Sequence, residues 1–140
     1  MDRLQVNVRL TPELIELITA SANVDSRICP LLRFIQDDEV QPLFDLADVV
    51  ALPFERTLTS GSATLACTMG RPLLVPEEAK VLGIVNTSNS LFFDTEATLI
   101  TKLQTLDKAM LREQGKSARS AVEGYSWKNV SKLVATAYAD

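Results

Sequence analysis

The spacing of apolar and polar positions changes repeatedly along the chain, and each change marks an element. Residues 4–10 (LQVNVRL) alternate with the two-residue period of a strand. Thr11-Pro12 then offers an N-cap followed by proline at the first helical position. Leu14, Leu17 and Ile18 recur at helical spacing, so a helix is predicted to about Asn23. Residues 27–35 (RICPLLRFI) read as a second strand, with Pro30 marking a strand start or an edge irregularity. Asp37 or Asp38 can cap a short helix carrying Val40, Leu43, Phe44 and Leu46. That reading places Pro42 in the first turn, where a lost N–H is tolerated. Residues 49–53 (VVALP) are wholly apolar, as in a strand buried on both faces.

A polar loop follows at residues 54–60. Ser60-Gly61-Ser62 then opens a helix over residues 63–69 that Gly70 closes. Residues 71–76 (RPLLVP) are another buried strand and residues 91–93 a last, short one. Residues 77–90 are the least regular stretch and read as surface loop. Two helices are predicted at the end, over about residues 95–115 and 127–138. Alternating strands and helices with buried strands in the middle predict an α/β fold, a Rossmann-like parallel sheet with helices on both faces.

Composition narrows the function classes. The 140 residues, 46% of them hydrophobic, suit one domain. A net charge of -4 argues against a nucleic-acid footprint, which needs a basic stripe. Asp37-Asp38-Glu39 is only a short acidic run and suits a helix start. Cys29 and Cys67 sit among apolar neighbours, as buried thiols of a reducing compartment do, and lack metal-ligand spacing. The first residues have no signal-peptide pattern and no apolar run reaches the ~18 residues of a membrane span, so the chain reads as cytoplasmic. There is no histidine, which excludes a Ser-His-Asp triad, a Cys-His dyad and a His-ligated metal within this chain. No metal and no cofactor are expected, and no residue is assigned a catalytic role.

In an open α/β sheet, ligands bind beyond the carboxyl ends of the strands. Three loops qualify: residues 36–38, 54–62 and 77–80. The middle one is the most informative. Thr59, Ser60 and Ser62 supply hydroxyls, and Gly61 lets a ligand approach the backbone. The first helical turn offers unpaired N–H groups and a partial positive charge. That set suits a diphosphate, with Arg56 as a charge-assisted donor. An ordinary Ser/Thr cap with glycine in a turn explains the same residues. Glu55 is either a contact to a sugar hydroxyl or a solvated loop carboxylate. Glu77 and Glu78 could face the cleft or stand as a surface pair. Trp127 with Tyr125 is expected to pack the last helix against the domain, and Asp48 to be structural.

Several segments taken in order resemble the C-terminal, donor-nucleotide-binding domain of bacterial GT-B glycosyltransferases. They are Asp37-Asp38-Glu39-Val40, Ala47-Asp48-Val49-Val50-Ala51-Leu52-Pro53, Thr59-Ser60-Gly61-Ser62 and Gly70-Arg71-Pro72-Leu73-Leu74-Val75-Pro76. The stretch NSLFFD at residues 89–94 and Tyr125-Ser126-Trp127 extend the likeness, which covers the chain from about Leu4. The Thr-Ser-Gly-Ser version followed by Gly-Arg-Pro resembles polysaccharide-building transferases that include GDP-mannose-dependent mannosyltransferases.

The resemblance implies the donor-binding half of an enzyme that moves a hexose from a GDP- or UDP-linked sugar to a glycan or lipid-linked acceptor. It places residues 59–62 at the donor phosphates, Ile35 and Gln36 near the base, and Glu55 and Arg56 near the sugar or phosphates. Peripheral membrane contact is left open for the whole enzyme. The chain departs from the family in three ways. Thr57 and Leu65 stand where two glutamates eight apart are frequent, the second holding the ribose. The acceptor domain is not represented, so this chain alone is expected to be inactive. By the same resemblance residues 4–10 match the family's second strand, so the first βα unit of the family domain is expected to have no counterpart here. A central strand missing from a 3-2-1-4-5-6 sheet would leave unpaired backbone. Self-association, strand swapping or pairing with an N-terminal domain is therefore expected.

A non-catalytic Rossmann-like binding module is the alternative, favoured by the lost glutamates and opposed by the Thr-Ser-Gly-Ser loop. A receiver domain would need an acidic cluster and a phospho-accepting Asp at strand ends, where this third strand ends Leu-Pro-Phe. A flavodoxin-like domain would bind phosphate after its first strand rather than its third.

Overall fold

The computed structural model describes residues 11–53 and 60–138. The predicted strand at residues 4–10 lies outside them. The chain divides into two compact units, Met1–Gln36 and Asp37–Asp140.

The first unit carries α1 (Pro12–Val24), which starts where the sequence indicates. Thr11 is extended, its hydroxyl accepts from the Leu14 N–H at 3.3 Å, and proline opens the helix. None of its residues is buried. The chain then turns at Asp25, whose carboxylate takes the Arg27 guanidinium at 2.6 Å. Residues 27–35 form no strand, contrary to the expectation. Pro30 removes a ladder donor and restrains the residue before it, and among the described residues no strand pairs with this segment. Cys29, expected to be buried, is exposed.

The second unit is the α/β body. Its elements are α2 (Asp37–Leu46), β1 (Val50–Ala51), α3 (Gly61–Thr68), β2 (Leu73–Pro76), β3 (Ser90–Phe93), α4 (Glu96–Gln104), α5 (Lys108–Glu123) and α6 (Trp127–Ala137). A 3-10 turn, Glu77–Val81, follows β2. The three strands pair in parallel in the order β1-β2-β3, with Val50 opposite Leu73 and Leu74 opposite Leu91. A three-stranded parallel sheet flanked by helices is consistent with a Rossmann-like fragment.

Central β2 is buried along all four residues, as its uninterrupted apolar run requires. Leu73 and Val75 join one core with Ala63, Ala66 and Cys67 of α3 and Ala118 of α5. Leu74 points to the opposite face by strand alternation and is equally excluded from solvent.

The local devices are those expected from the residues, with some corrections. Helix α3 ends on Gly70 at φ 65, a left-handed position open to glycine. Arg71 N–H bonds the Ala66 carbonyl and Gly70 N–H that of Cys67, both at 2.9 Å, which closes the helix as a Schellman turn. Pro42 lies inside α2 rather than in its first turn, because the helix already begins at Asp37. The proline is exposed, at the outer side of a short helix.

The single helix expected over residues 95–115 is two. Asp107 interrupts it by accepting from the Met110 N–H at 2.7 Å, a cap that starts α5 afresh. Residues 77–90 are not simply surface loop: Ala79, Leu82 and Val85 enter the core. Buried Asn89 organises the stretch, donating to the Ile84 carbonyl at 2.7 Å and accepting from Asn86 N–H at 3.0 Å and Ser90 hydroxyl at 2.8 Å. Tyr125, expected to pack inward, is 63% exposed.

Candidate functional site at the start of helix α3

A parallel pair joined by a helix must return that helix antiparallel to the strands. The N-terminus of α3 therefore lies at the carboxyl edge of the β1–β2 pair, where ligands bind in open α/β sheets. Small residues fix its position: Ala63, Ala66 and Cys67 turn toward the sheet with no exposure. Any larger residue there would push the helix outward. Burial raises the Cys67 thiol to about 11, so it is a packed hydrophobe and no nucleophile.

The loop preceding α3 ends in Ser60, in an extended conformation at φ -143. Its hydroxyl accepts from Ala63 N–H at 3.0 Å, and its carbonyl accepts from Thr64 N–H at 3.1 Å and the Thr64 hydroxyl at 3.0 Å. Ser60 is thus occupied as the N-cap of α3. Gly61 and Ser62 are the next two residues, in the first turn, where N–H groups have no partner within the helix. Neither these N–H groups nor the Ser62 hydroxyl makes a hydrogen bond among the described residues. Gly61 is exposed and Ser62 half-buried. The result is a donor-rich first turn at the positive end of a helix, able to take an anionic oxygen.

The other proposed contacts divide into two groups. Glu55, Arg56 and Thr59 lie outside the described residues, as does Thr57. Ile35, half-buried, and Gln36, exposed, belong to the first unit and are described within it alone. Leu65, on the second turn of α3, is 37% exposed.

Two further groups follow carboxyl ends of strands. After β2, Glu77 and Glu78 are both exposed, and Glu77 is ion-paired with Lys80. The Lys80 ammonium also sits over the Phe92 ring, 4.7 Å from its centre. Sequence reasoning singled out the glutamates and passed over Lys80, although its spacing of three from Glu77 is a pairing signal. After β3, Asp94 accepts from the Thr98 hydroxyl at 2.8 Å, and that bond holds its carboxyl below the usual range. Thr98 also accepts from the Asp94 and Thr95 N–H groups, so these side chains serve the capping box of α4. Among the described residues no group of Cys, Asp or Glu converges as metal ligands would.

No family model matches the chain. A stretch of 66 residues is 29% identical to GDP-mannose:glycolipid 4-beta-D-mannosyltransferase of Xanthomonas campestris pv. campestris. It amounts to 47% of this chain and 19% of that protein's length. Among the described residues no helix is long and apolar enough to cross a membrane.

Proposed function

We propose that this chain carries the donor-nucleotide-binding part of a GT-B type glycosyltransferase, with the start of α3 receiving the donor diphosphate. The observation that carries the reading is the first turn of α3 at the carboxyl edge of the sheet, where Gly61 and Ser62 have no hydrogen-bond partner among the described residues. The mannosyltransferase similarity supplies the chemistry such a site would serve. A diphosphate leaving group accumulates charge as the glycosidic bond to it breaks. Fixed N–H donors and a helix dipole stabilise that charge without reorganising.

On this reading Ser62 and the Gly61 and Ser62 amides contact phosphate oxygens, while Ser60 holds the turn in shape. Thr59 and Arg56 join them, Glu55 lies near the sugar, and Ile35 and Gln36 near the base. The donor is a GDP- or UDP-linked hexose, the acceptor a glycan or lipid-linked sugar, and the site of action cytoplasmic. Acceptor binding falls to another domain.

A second reading, a binding module without catalysis, is favoured by Leu65. An exposed leucine stands where the resembled family carries its ribose-binding carboxylate, and it can accept no hydroxyl.

Calorimetry with GDP, UDP and ADP tests the proposal on the wild type and on Ser62→Ala. Selective binding of one nucleotide, weakened several-fold by Ser62→Ala, is the expected result. Ser62 is not the cap, so its loss leaves the helix start intact. An affinity for nucleotide that Ser62→Ala leaves unchanged would place the phosphates elsewhere. Absence of binding at millimolar nucleotide would favour the non-catalytic module.

A further inference from the structure

At the opposite, amino edge of the strands lies a groove of about 990 Å³. Its walls are Asp48, just before β1, the turn at residues 70–72 before β2, and one face of α5. Five cations line it: Arg71, Lys108, Arg112, Lys116 and Arg119. The lining acids are Asp48 and Glu113 alone. This excess of positive charge sits on a chain whose net charge is -4.

The placement of the cations works against the fold around them. Lys108, Arg112, Lys116 and Arg119 follow one another at intervals of four, four and three, so they form a single stripe along α5. Its length is about 16 Å at a rise of ~1.5 Å per residue. Lys108–Arg112 and Arg112–Lys116 are like-charge pairs at the spacing that opposes a helix.

Local partners answer the charge only in part. Lys116 is 2.6 Å from Glu113, Arg71 3.2 Å from Asp45 and Lys108 3.6 Å from Asp48. Arg119 donates to the Thr68 carbonyl at 2.7 Å. Arg112, in the middle of the stripe, has no hydrogen bond or ion pair among the described residues. The Nε of Arg71 is shut off from solvent with no acceptor, an orphan on a cationic group in the groove wall.

We propose that this groove binds an anion carrying two or more phosphoryl groups, through Arg112, Lys108 and Lys116, with Arg71 and Arg119 in reserve at its wall. Guanidinium and ammonium groups arrayed over this length match successive phosphate oxygens, and the concave shape holds a compact polyanion. The net charge of -4 disfavours a nucleic-acid strand, which would need a basic stripe extending beyond this groove. The site is separate from the start of α3, because the two lie at opposite edges of the same parallel strands. It stands whether or not the donor reading does.

The test is calorimetry of the full chain with tripolyphosphate at low ionic strength. The comparison is the wild type, the triple variant Lys108→Gln/Arg112→Gln/Lys116→Gln and Ser62→Ala. The triple variant relieves like-charge pairs on α5 and is expected to fold, which circular dichroism checks. A saturable component weakened roughly tenfold in the triple variant and retained in Ser62→Ala is expected, the size of a lost charge-assisted contact, and a component that Ser62→Ala alone removes belongs to the start of α3. Absence of saturable binding overturns the proposal, as does binding that the triple variant leaves unchanged. The source of the phosphoryl groups is read by sedimentation with phosphatidylcholine vesicles, with and without cardiolipin, whose headgroup carries two phosphates. Co-sedimentation with the anionic vesicles, reversed by tripolyphosphate and lost in the triple variant, identifies a lipid headgroup. Tripolyphosphate binding without co-sedimentation identifies a soluble phosphorylated ligand.

Discussion

Replacing Gly115 by alanine tests how closely α3 and α5 approach. A Cβ built at Gly115 falls 2.4 Å from the Gly70 carbonyl oxygen and 3.4 Å from its carbonyl carbon, with Pro72 Cδ at 3.6 Å. The first distance is about 1 Å short of van der Waals contact. The obstructing atoms are backbone, in the Schellman turn that ends α3, so no side chain can swing aside. Gly70 sits at φ 65 with its amide committed to the Cys67 carbonyl, and the turn has little slack. Relief requires α5 to move away from α3, which loosens Ala63, Ala66 and Ala118 in the shared core. Overpacking of this kind costs about 1–3 kcal/mol. Alanine returns roughly 0.5–1 kcal/mol through its better helix propensity. The net expectation is a loss of about 1–2 kcal/mol, or a Tm lowered by roughly 3–8 °C for a chain of this size.

The assay is urea unfolding followed by circular dichroism, with Gly124→Ala as the matched control. Nothing lies within 4 Å of a Cβ at Gly124, and its φ of -63 suits any residue. That substitution is expected to be neutral or to stabilise by about 0.4–1 kcal/mol through the unfolded state. If Gly115→Ala is as stable as the wild type at unchanged m, the close packing of the two helices is refuted.

Other perturbations have equally definite outcomes. Ser60→Ala removes the cap of α3 and should cost about 1 kcal/mol of stability in the same urea assay, a loss that Ser62→Ala does not share. Asn89→Ala strands the Ile84 carbonyl and Asn86 N–H and should cost roughly 2–3 kcal/mol; a value near zero would show that water replaces the side chain. Asp94 has its folded pKa below the usual 3.8, so its stabilising effect is complete above that value and fades as pH falls through the lower, folded one. Wild type should therefore lose stability relative to Asp94→Asn as the medium is acidified, and equal pH profiles would contradict the Thr98 contact. A maleimide should label exposed Cys29 readily in the native chain and Cys67 only after unfolding, since burial holds its thiol at about 11.

What the sequence revealed and what it hid follow from the range of the forces involved. Caps and closures are local: Thr11, Ser60, Asp107 and Gly70 each bond backbone within a few residues, and three of the four were read in place. Asp107 was passed over because apolar spacing continues through it, although its preference for caps was available. Strands β2 and β3 were legible because continuous apolar runs bounded by Pro and Asp admit little else. Residues 27–35 carry a comparable run, but a strand exists only with a neighbour to pair with, and no spacing within the segment specifies one. The 77–90 stretch failed in the other direction. Its inward residues, Ala79, Leu82, Val85 and Asn89, follow no regular period, and only the tertiary fold reveals the hollow they fill. The cationic stripe of α5 could have been found by counting four, four and three, yet its convergence with Arg71 depends on a turn 37 positions earlier than Lys108 in the chain.

Helix α3 links the two edges of the sheet, and its ends are finished differently. At the C-terminus every obvious acceptor is answered: Gly70 and Arg71 amides take Cys67 and Ala66, and the Arg119 guanidinium takes Thr68. That closure is what a helix end facing a cationic groove requires, since its negative pole is held by protein and does not repel an arriving anion. At the N-terminus the Ser60 cap satisfies Ala63, and the Gly61 and Ser62 amides have no partner among the described residues. A helix held only for stability gains by capping both ends. This one is fixed along its length by Ala63, Ala66 and Cys67 and is sealed at its C-terminal pole, so a ligand taken at the other pole, as proposed, would not loosen the element that presents it. The difference between the two ends is the physical reason to look for phosphate oxygens at Gly61 and Ser62 first.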